Sequence, residues 1–379
     1  MAALSSRAKK VLDLPLVALE SGSVHDLMSK AKSVVDPEDV IDLGLAENKL
    51  CEDIINEKLK ECYPTSNSTQ YYTTAYGLES LRKTFAGFLT RHMKAVKEVD
   101  PEQLIVTTGC TSLLGIVSMG IADSGEYIMV PCPYYYRLGM DLRSLGGLEL
   151  LHAPMPENGV SLSDSLEATY TKAQSEVRCS LHVVMDEIYG LSVFGESKFE
   201  SVFTLDTIPD PERTHFMWGL SKDFGMSGYR IGVLHSWSKS FIQYVRRIID
   251  AFQVPTFIQL QMNTFLSDTD WIDNVLLRTY QDKLISSFQY TKEKLSSMDV
   301  SVHPKCQGGL FVWANFSKHM KSKSFEEEEK LMAKLYTSGV SVLNGGSFKS
   351  SEPGWFRIIF TTRPHLLEEG IYYVLIPLE

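Results

Sequence analysis

Apolar segments of strand character alternate with helical segments through much of this chain, and the alternation limits the folds that it can adopt. Helical patterns at 78–93 and 113–121 lie among these segments. Strands that alternate with helices predict an α/β sheet, mixed but mostly parallel, with helices on both faces. Ligands of such sheets bind at the carboxyl ends of the strands. The predicted strands are 104–107, 127–130, 181–185, 215–218 and 231–235.

The chain has 379 residues, more than a single hydrophobic core usually supports. We therefore predict two domains. A long helical stretch at 271–298, short strands and a charged helix at 325–338 indicate a smaller α+β domain at 266–379. The large domain is predicted at 41–265, and residues 1–40 are predicted to form an N-terminal arm that belongs with the small domain.

Composition excludes several classes of function. A formal net charge of -10 argues against a nucleic-acid groove or a polybasic membrane patch. No apolar run approaches the ~20 residues that span a bilayer. The six cysteines are scattered without a C-x-x-C pair, so neither a metal site nor a disulfide framework is expected. These features predict a cytoplasmic globular protein.

Lys222 is the strongest chemical signal, in segment 221–230, which reads SKDFGMSGYR after an apolar strand. Desolvation of a lysine at a strand end lowers its pKa and frees the amine to form a Schiff base. The nearby glycines leave room for a flat ring, and Arg230 can reach a phosphate. Alone, the segment is also compatible with an ordinary loop that carries a surface lysine.

Three upstream segments supply companions for Lys222. Segment 185–189 reads MDEIY, in which Asp186 can pair with a protonated pyridine nitrogen and Tyr189 with a ring hydroxyl. Segment 108–112 reads TGCTS and predicts a phosphate seat at a helix N-terminus. Segment 131–136 reads PCPYYY and presents aromatic rings for stacking. Singly, these segments are equally compatible with a helix cap, a common α/β turn and plain packing.

Together, and in this order, the motifs resemble the fold type I family of pyridoxal 5'-phosphate enzymes. The chain is more closely similar to the 1-aminocyclopropane-1-carboxylate synthases and their animal homologues. The resemblance extends from about residue 40 to about residue 370. Its motifs are LAEN at 45–48, the PCPYYY turn, LSKD at 220–223 with GYR at 228–230, and SEPGWFR at 351–357.

The resemblance implies a role for each of these residues. Lys222 would form the aldimine with the cofactor and later move the substrate α-proton. Asp186 would pair with the pyridine nitrogen, Tyr189 with the ring hydroxyl, and Tyr135 would stack on the ring. The other residues expected at the cofactor, most of them at its phosphate, are Cys110 through its backbone, Thr111, Ser221, Arg230 and Tyr72.

Substrate and dimer contacts are also implied. Arg357 would bind the substrate carboxylate as a bidentate fork. Glu47 matches a substrate-facing acidic position, although a plain surface glutamate fits as well. Family members are homodimers in which a tyrosine reaches the neighbour's phosphate. Tyr72 is our candidate for that tyrosine, with Tyr76 as the alternative.

Two departures from the family pattern stand out. Gly219 occupies a position where the family usually has a serine, a loss of one hydrogen bond worth about 0.5–1.5 kcal/mol. The asparagine segment of the Asn-Pro-x-Asn-Pro type is also missing, since Asn158 is the only asparagine between Asn67 and Asn263. The chain therefore lacks roughly one strand–loop–helix unit before residue 181, on the order of 30 residues. Loss of a central strand should expose sheet edges.

Several functions stay open at this stage. We favour an enzyme acting on α-amino acids by C–S β-elimination or by transamination. A true 1-aminocyclopropane-1-carboxylate synthase, acting on S-adenosylmethionine, is less favoured because segment 19–28 lacks the tyrosine-rich pattern of the plant enzymes. A shortened, catalytically impaired form that acts as a dimer partner is the main alternative. A nucleotide-binding protein is disfavoured by the absence of a Walker lysine and a G-x-G-x-x-G motif.

Overall fold

The computed structural model describes residues 5–12, 23–155, 161–174, 181–196 and 198–378. A π-helical segment, Ile272–Leu276, joins two of its helices. The helices are α1 (Ser6–Leu12), α2 (Ser23–Lys32), α3 (Glu52–Glu61), α4 (Glu79–His92), α5 (Cys110–Ile121), α6 (Leu138–Leu145), α7 (Leu162–Gln174), α8 (Lys239–Ile248), α9 (Thr256–Ser267), α10 (Thr269–Trp271), α11 (Leu277–Ser296), α12 (Phe325–Thr337) and α13 (Pro364–Leu375). The strands are β1 (Ile41–Asp42), β2 (Leu104–Thr107), β3 (Tyr127–Cys132), β4 (Glu149–Pro154), β5 (Val183–Asp186), β6 (Thr214–Gly219), β7 (Gly232–Ser236), β8 (Ser301–Val302), β9 (Phe311–Asn315), β10 (Val340–Ser341), β11 (Leu343–Asn344) and β12 (Trp355–Ile359).

A four-stranded sheet in the order β2-β7-β6-β5 lies at the centre of the larger half. Strand β7 runs antiparallel to both of its neighbours, and β5 runs parallel to β6. Every residue of β6 and β7 is buried. Continuous burial explains why these strands read as nearly unbroken apolar runs, as expected for a sheet covered on both faces.

Strands β3 and β4 form a separate, two-stranded parallel sheet. Ile128 and Leu150 of this sheet pack against the apolar cluster that includes Leu113 and Ile116 of α5. Val184 of β5 packs against the same cluster. The two sheets therefore lie on one helix layer, although no ladder of hydrogen bonds joins β5 to β3 in the described part of the chain.

The smaller half is built on an antiparallel sheet in the order β11-β12-β9-β8. Strand β1 pairs in parallel with β10, and α2 packs against α12, so the N-terminal segment contacts this half. The predicted domain boundaries at 40/41 and 265/266 stay predictions. None of the described helices combines the length and the apolar character needed to cross a membrane.

The predicted elements differ from the observed ones mainly at their ends. Helix α5 begins at Cys110, three residues before the predicted start at 113, because Gly109 with φ of 84° serves as its N-cap. Strand β5 begins at Val183 and includes Asp186, which the sequence pattern placed just after the strand. The parallel register that sets Asp186 opposite Met217 of β6 accounts for this extension.

Candidate active site

Lys222 lies in the turn that follows β6. Its Nζ donates a hydrogen bond to the main-chain oxygen of Ala46 at 2.6 Å. Burial, together with the nearby positive charge of Arg357, lowers the pKa of the Lys222 ammonium. A lowered pKa favours the neutral amine, which is the nucleophilic form.

A buried carboxylate next to Lys222, to which no sequence pattern pointed, fixes this turn. Asp223 accepts hydrogen bonds from Ser192 Oγ at 2.5 Å, Trp218 Nε1 at 2.8 Å and Leu191 N at 3.1 Å. Burial raises the pKa of Asp223 to about 7. Because three donors from different segments converge on one side chain, Asp223 connects the Lys222 turn to the segment after Asp186 and Tyr189.

Asn48 holds the same turn from the other side. Its Nδ2 donates to the main-chain oxygens of Lys222 at 3.0 Å and Asp223 at 3.3 Å. Gly225 has φ of +65°, and a Cβ there would lie 2.1 Å from the Asn48 carbonyl oxygen. This close approach explains why residue 225 is a glycine. Asn48 is therefore a positioning residue, a role that could not be predicted from its place in the LAEN motif.

Asp186 is the last residue of β5 and remains accessible to solvent. Surrounding protein nevertheless raises the pKa of its carboxyl group to about 6 by desolvation. The amide of Ile188 donates to Asp186 Oδ1 at 3.3 Å. At neutral pH the group is therefore mostly a carboxylate, able to face a protonated ring nitrogen. Tyr189 packs edge-to-face on Phe311 at 5.9 Å, and burial raises the pKa of its phenol.

An anion seat lies at the start of α5. Gly109 caps this helix without a side-chain hydrogen bond, which leaves backbone N–H groups of the first turn free for a ligand. A Cβ on Gly109 would lie 2.5 Å from Nη2 of Arg230, and one on Gly232 would lie 2.6 Å from the Gly109 carbonyl carbon. Arg230 Nη1 donates to Ser227 O at 3.0 Å. The N-terminus of α5 and the guanidinium of Arg230 therefore lie next to each other, with exposed Thr111 beside them.

The departure at Gly219 has a local explanation. A Cβ there would lie 2.6 Å from Ile231 O and 3.1 Å from Cys110 Sγ. The space that a serine side chain would need is thus filled by a backbone oxygen and the Cys110 thiol. Ser221 makes no side-chain hydrogen bond to the described residues, so its predicted contact with the cofactor stays a prediction.

Arg357 lies on β12 and is 5% exposed. Its Nη2 donates to the main-chain oxygen of Gly44, while its Nε has no hydrogen-bond partner among the described residues. The rings of Phe348, Phe311 and Tyr136 lie 4.7, 5.3 and 6.0 Å from the guanidinium carbon. A buried guanidinium with an unsatisfied N–H is suited to a planar carboxylate.

The two candidate tyrosines for the dimer contact differ in their surroundings. Tyr76 is held by its own chain, with the guanidinium carbons of Arg82 and Arg246 at 4.9 and 4.2 Å from its ring. Tyr72 is 99% exposed. A fully exposed aromatic ring is available to a partner subunit, which favours Tyr72 over Tyr76. That choice stays a prediction.

Two further candidates lie within electrostatic range of these groups, Tyr135 of Arg357 and Glu47 of Lys222. Tyr135 is 44% exposed and contacts Tyr136 edge-to-face at 5.4 Å, which leaves ring surface for stacking. Glu47 pairs with Lys49 at 3.2 Å, with both side chains more than one-third exposed. This ion pair is compatible both with a plain surface position for Glu47 and with a substrate-facing one.

The family's asparagine for the ring hydroxyl has no counterpart among the described residues. Asn158 lies outside the described residues, and the described stretches between β4 and β5 contain no asparagine that could bond a ring hydroxyl. Nor do the described residues contain a cluster of His, Cys, Asp or Glu that could hold a metal ion. The remaining set fits pyridoxal phosphate, because an anion seat, an accessible carboxylate and a partly desolvated lysine amine are all present.

Solved structures confirm the predicted fold class. N-succinyldiaminopimelate aminotransferase from Mycobacterium tuberculosis superposes with a TM-score of 0.76 at 18% identity, covering 99% of this chain and 100% of that one. A Thermus thermophilus aspartate aminotransferase double mutant gives a TM-score of 0.74 at 19% identity, with 100% of both chains covered. The fold is therefore the pyridoxal phosphate fold type I.

Sequence relatives are similar over most of the chain. The 1-aminocyclopropane-1-carboxylate synthase-like protein 1 of Mus musculus is 30% identical, covering 89% of this chain and 75% of that protein. The Takifugu rubripes protein of the same name is 30% identical over 93% of this chain. The human "Probable inactive 1-aminocyclopropane-1-carboxylate synthase-like protein 2" is 31% identical over 84% of this chain. The chain spans 64% of the length of each of the last two relatives.

The sequence model described as "Aminotransferase class I and II" matches residues 39–179 and 175–372, in two segments that meet shortly before β5. Pyridoxal 5'-phosphate is the cofactor of this family, which confirms the cofactor expected from the motifs. The family model matches most of the chain, and the mouse protein is 30% identical with 75% of its length covered, so the family of this chain is established. This chain belongs to the class I and II aminotransferase family.

Proposed function

We propose that this chain is a pyridoxal-phosphate-dependent enzyme of α-amino acids that catalyses C–S β-elimination or transamination. The observation that supports this proposal is the proximity of three groups, since Lys222 lies within electrostatic range of Arg357, Cys110 and Arg230. These are the Lys222 amine, the anion seat of α5 with Arg230, and the buried guanidinium of Arg357. When bound, the cofactor supplies an electron sink for the charge that develops at the substrate α-carbon.

The chain's own residues have separate tasks in this proposal. Arg357 binds the substrate carboxylate and fixes the orientation of the α-carbon. The Nζ of Lys222, with its lowered pKa, accepts the α-proton and returns it. Asp186 holds the ring nitrogen as a carboxylate. The hydrogen bonds from Lys222 to Ala46 O and from Arg357 to Gly44 O exchange for contacts with cofactor and substrate when these bind.

A substrate panel tests the proposal. The chain, supplied with pyridoxal phosphate, is given cystine, an amino acid with a keto acid acceptor, and S-adenosylmethionine in parallel assays. We expect either pyruvate and ammonia from cystine or transfer of the amino group, and neither in Lys222→Ala. Release of 1-aminocyclopropane-1-carboxylate as the main product would instead assign the synthase reaction and contradict our preference.

A non-catalytic dimer partner is the second candidate function. The separation of β3 and β5 into two sheets favours it, as does the family match that is divided at 175–179. A human relative bears the description "Probable inactive". This candidate predicts no turnover of any panel substrate, together with a dimer in sedimentation experiments.

A homodimer is also part of the enzymatic proposal. The full exposure of Tyr72 supports it, because family members complete their phosphate sites with a partner tyrosine. We expect Tyr72→Ala to weaken pyridoxal phosphate binding in titrations without lowering the thermal midpoint of the cofactor-free chain. Unchanged cofactor affinity would remove Tyr72 from the site.

A further inference from the structure

A fully buried carboxylate organises the loop that leads to Arg357. Glu328 of α12 has 0% exposure. Its Oε1 accepts hydrogen bonds from Asn344 Nδ2 at 3.0 Å and Gly346 N at 2.8 Å, and its Oε2 accepts one from Gly354 N at 2.5 Å. The Glu328 side chain is therefore hydrogen-bonded to the backbone near both ends of segment 345–354.

This segment connects β11 to β12, the strand that carries Arg357. Gly354 directly precedes Trp355, the first residue of β12. Gly354 has φ of +101°, and its oxygen accepts a hydrogen bond from Phe316 N at 2.7 Å. The contact with Glu328 thus fixes the backbone three residues before Arg357, at a conformation that disfavours other side chains.

The same segment provides one wall of the guanidinium site. The Phe348 ring lies 4.7 Å from the guanidinium carbon of Arg357 and contacts the ring of Trp313 at 5.6 Å. The Phe348 carbonyl oxygen accepts a hydrogen bond from Tyr134 N at 3.1 Å. The loop therefore sets the ring beside Arg357 and joins the smaller half to the aromatic turn of the larger one.

Glu328 has no cationic partner among the described residues. Burial of an unpaired carboxylate is costly, and burial raises the pKa of Glu328. The converging donors offset that cost, since hydrogen bonds to an ionised acceptor are the strong kind. Loss of any one donor leaves the carboxylate poorly satisfied, so the loop has one strongly preferred position.

We propose that Glu328 is a positioning residue for carboxylate recognition. It holds segment 345–354 so that Arg357 and Phe348 keep one geometry. This inference rests on the proposed function, in which Arg357 binds the substrate carboxylate. Glu328 itself touches neither substrate nor cofactor.

An isosteric variant tests this role. Glu328→Gln keeps an oxygen for Asn344 and Gly346 but turns an amide NH2 toward the N–H of Gly354. Glu326→Gln is the matched control, because it makes the same chemical change on the exposed face of α12, where Glu326 pairs with Lys330. The probe is 3-phenylpropionate, a carboxylate without an amine, titrated by calorimetry into the chain incubated with pyridoxal phosphate.

We expect Glu328→Gln to weaken 3-phenylpropionate binding about tenfold and to accelerate hydrogen exchange in residues 345–359 by a similar factor. Glu326→Gln should match the wild type in both measurements. The visible absorption of the cofactor should be unchanged, because Glu328 bonds to Asn344, Gly346 and Gly354 and not to Lys222 or the first turn of α5. A purely structural role would lower the thermal midpoint without changing carboxylate affinity of the folded protein.

Three results would overturn the inference. These are unchanged carboxylate affinity in Glu328→Gln, unchanged exchange in its 345–359 segment, and a wild type that does not bind 3-phenylpropionate. If no Lys222-dependent absorption appears, yet Glu328→Gln still weakens carboxylate binding, the proposed function fails while the positioning role of Glu328 is supported.

Discussion

Strands β6 and β5 are neighbours with similarly apolar sequences, yet they differ sharply in burial. Every residue of β6 is buried, whereas Val183 of β5 is 48% exposed. Tyr127, at the start of β3, is 46% exposed. Among the described residues, β6 is paired on both edges and β5 on one, so the difference follows from neighbouring strands rather than from composition.

Strand β2 shows that an end position alone does not produce exposure. It also lies at the end of the four-stranded sheet, but all of its residues are buried. Val106 N donates to Tyr76 O at 3.0 Å, so the segment before α4 covers that edge. A covered edge is stable, and an uncovered apolar edge is a weak point.

The comparison of β6 with β5 extends to the active site, because each of these two strands positions one functional side chain. Lys222 follows β6 and is fixed by Asp223 and Asn48. Asp186 ends β5, and among the described residues its side chain accepts one hydrogen bond, from Ile188 N. The amine side of the site is therefore held firmly, and the carboxylate side depends on an incompletely paired strand.

The largest expected effect is a difference in the free energy of unfolding between two variants in which an aromatic residue is replaced by alanine. Phe216→Ala in β6 should lower the free energy of unfolding by about 3–5 kcal/mol, because the ring is 0% exposed and leaves a cavity. Tyr127→Ala in β3 should cost under about 1 kcal/mol. Urea denaturation of both variants measures the difference. Similar losses would show that β3 is as well packed as β6.

A smaller effect concerns the contact between His182, which directly precedes β5, and His215 of β6. His182 Nδ1 and His215 Nε2 lie 3.0 Å apart, and burial lowers the pKa of His215 from 6.5 to about 4. Because the folded pKa is below the unfolded one, stability is complete above pH 6.5 and declines as the pH falls toward 4. We expect a loss of about 2 kcal/mol between pH 7 and pH 5 from His215 alone. In His215→Gln this part of the pH dependence should disappear; an unchanged slope would contradict the assignment.

The smallest effect is expected at the edge of β5 that pairs with no described strand. Val183→Lys should change the free energy of unfolding by less than about 0.5 kcal/mol, because the side chain is already half exposed. It should, however, slow aggregation at high concentration, since charged residues blunt free edges. Light scattering over time compares it with the wild type, and equal aggregation rates would indicate that this edge is covered in solution.

The sequence predicted correctly those strands whose residues are all buried, because their apolar runs are visible within a few consecutive residues. The nearly unbroken apolar runs of β2, β6 and β7 predicted these strands, whereas the loss of one strand–loop–helix unit before residue 181 stays a prediction. Sequence patterns indicated no role for Asp223, Asn48 or Glu328, although all three lie in or near quoted segments. Their roles depend on partners far along the chain, as between Asn48 and Lys222, and spacing alone does not reveal such contacts.

The central claim is that the firmly held side of the site, built on β6, suffices to bind the cofactor despite the divided sheet. The most direct test is the visible absorption of the purified chain with pyridoxal phosphate, compared with Lys222→Ala and with Lys239→Ala, which changes an exposed lysine of α8. We predict a band in the wild type and in Lys239→Ala that shifts on addition of an amino acid, and no band in Lys222→Ala. The absence of a Lys222-dependent band in the wild type would contradict the account and favour the non-catalytic partner.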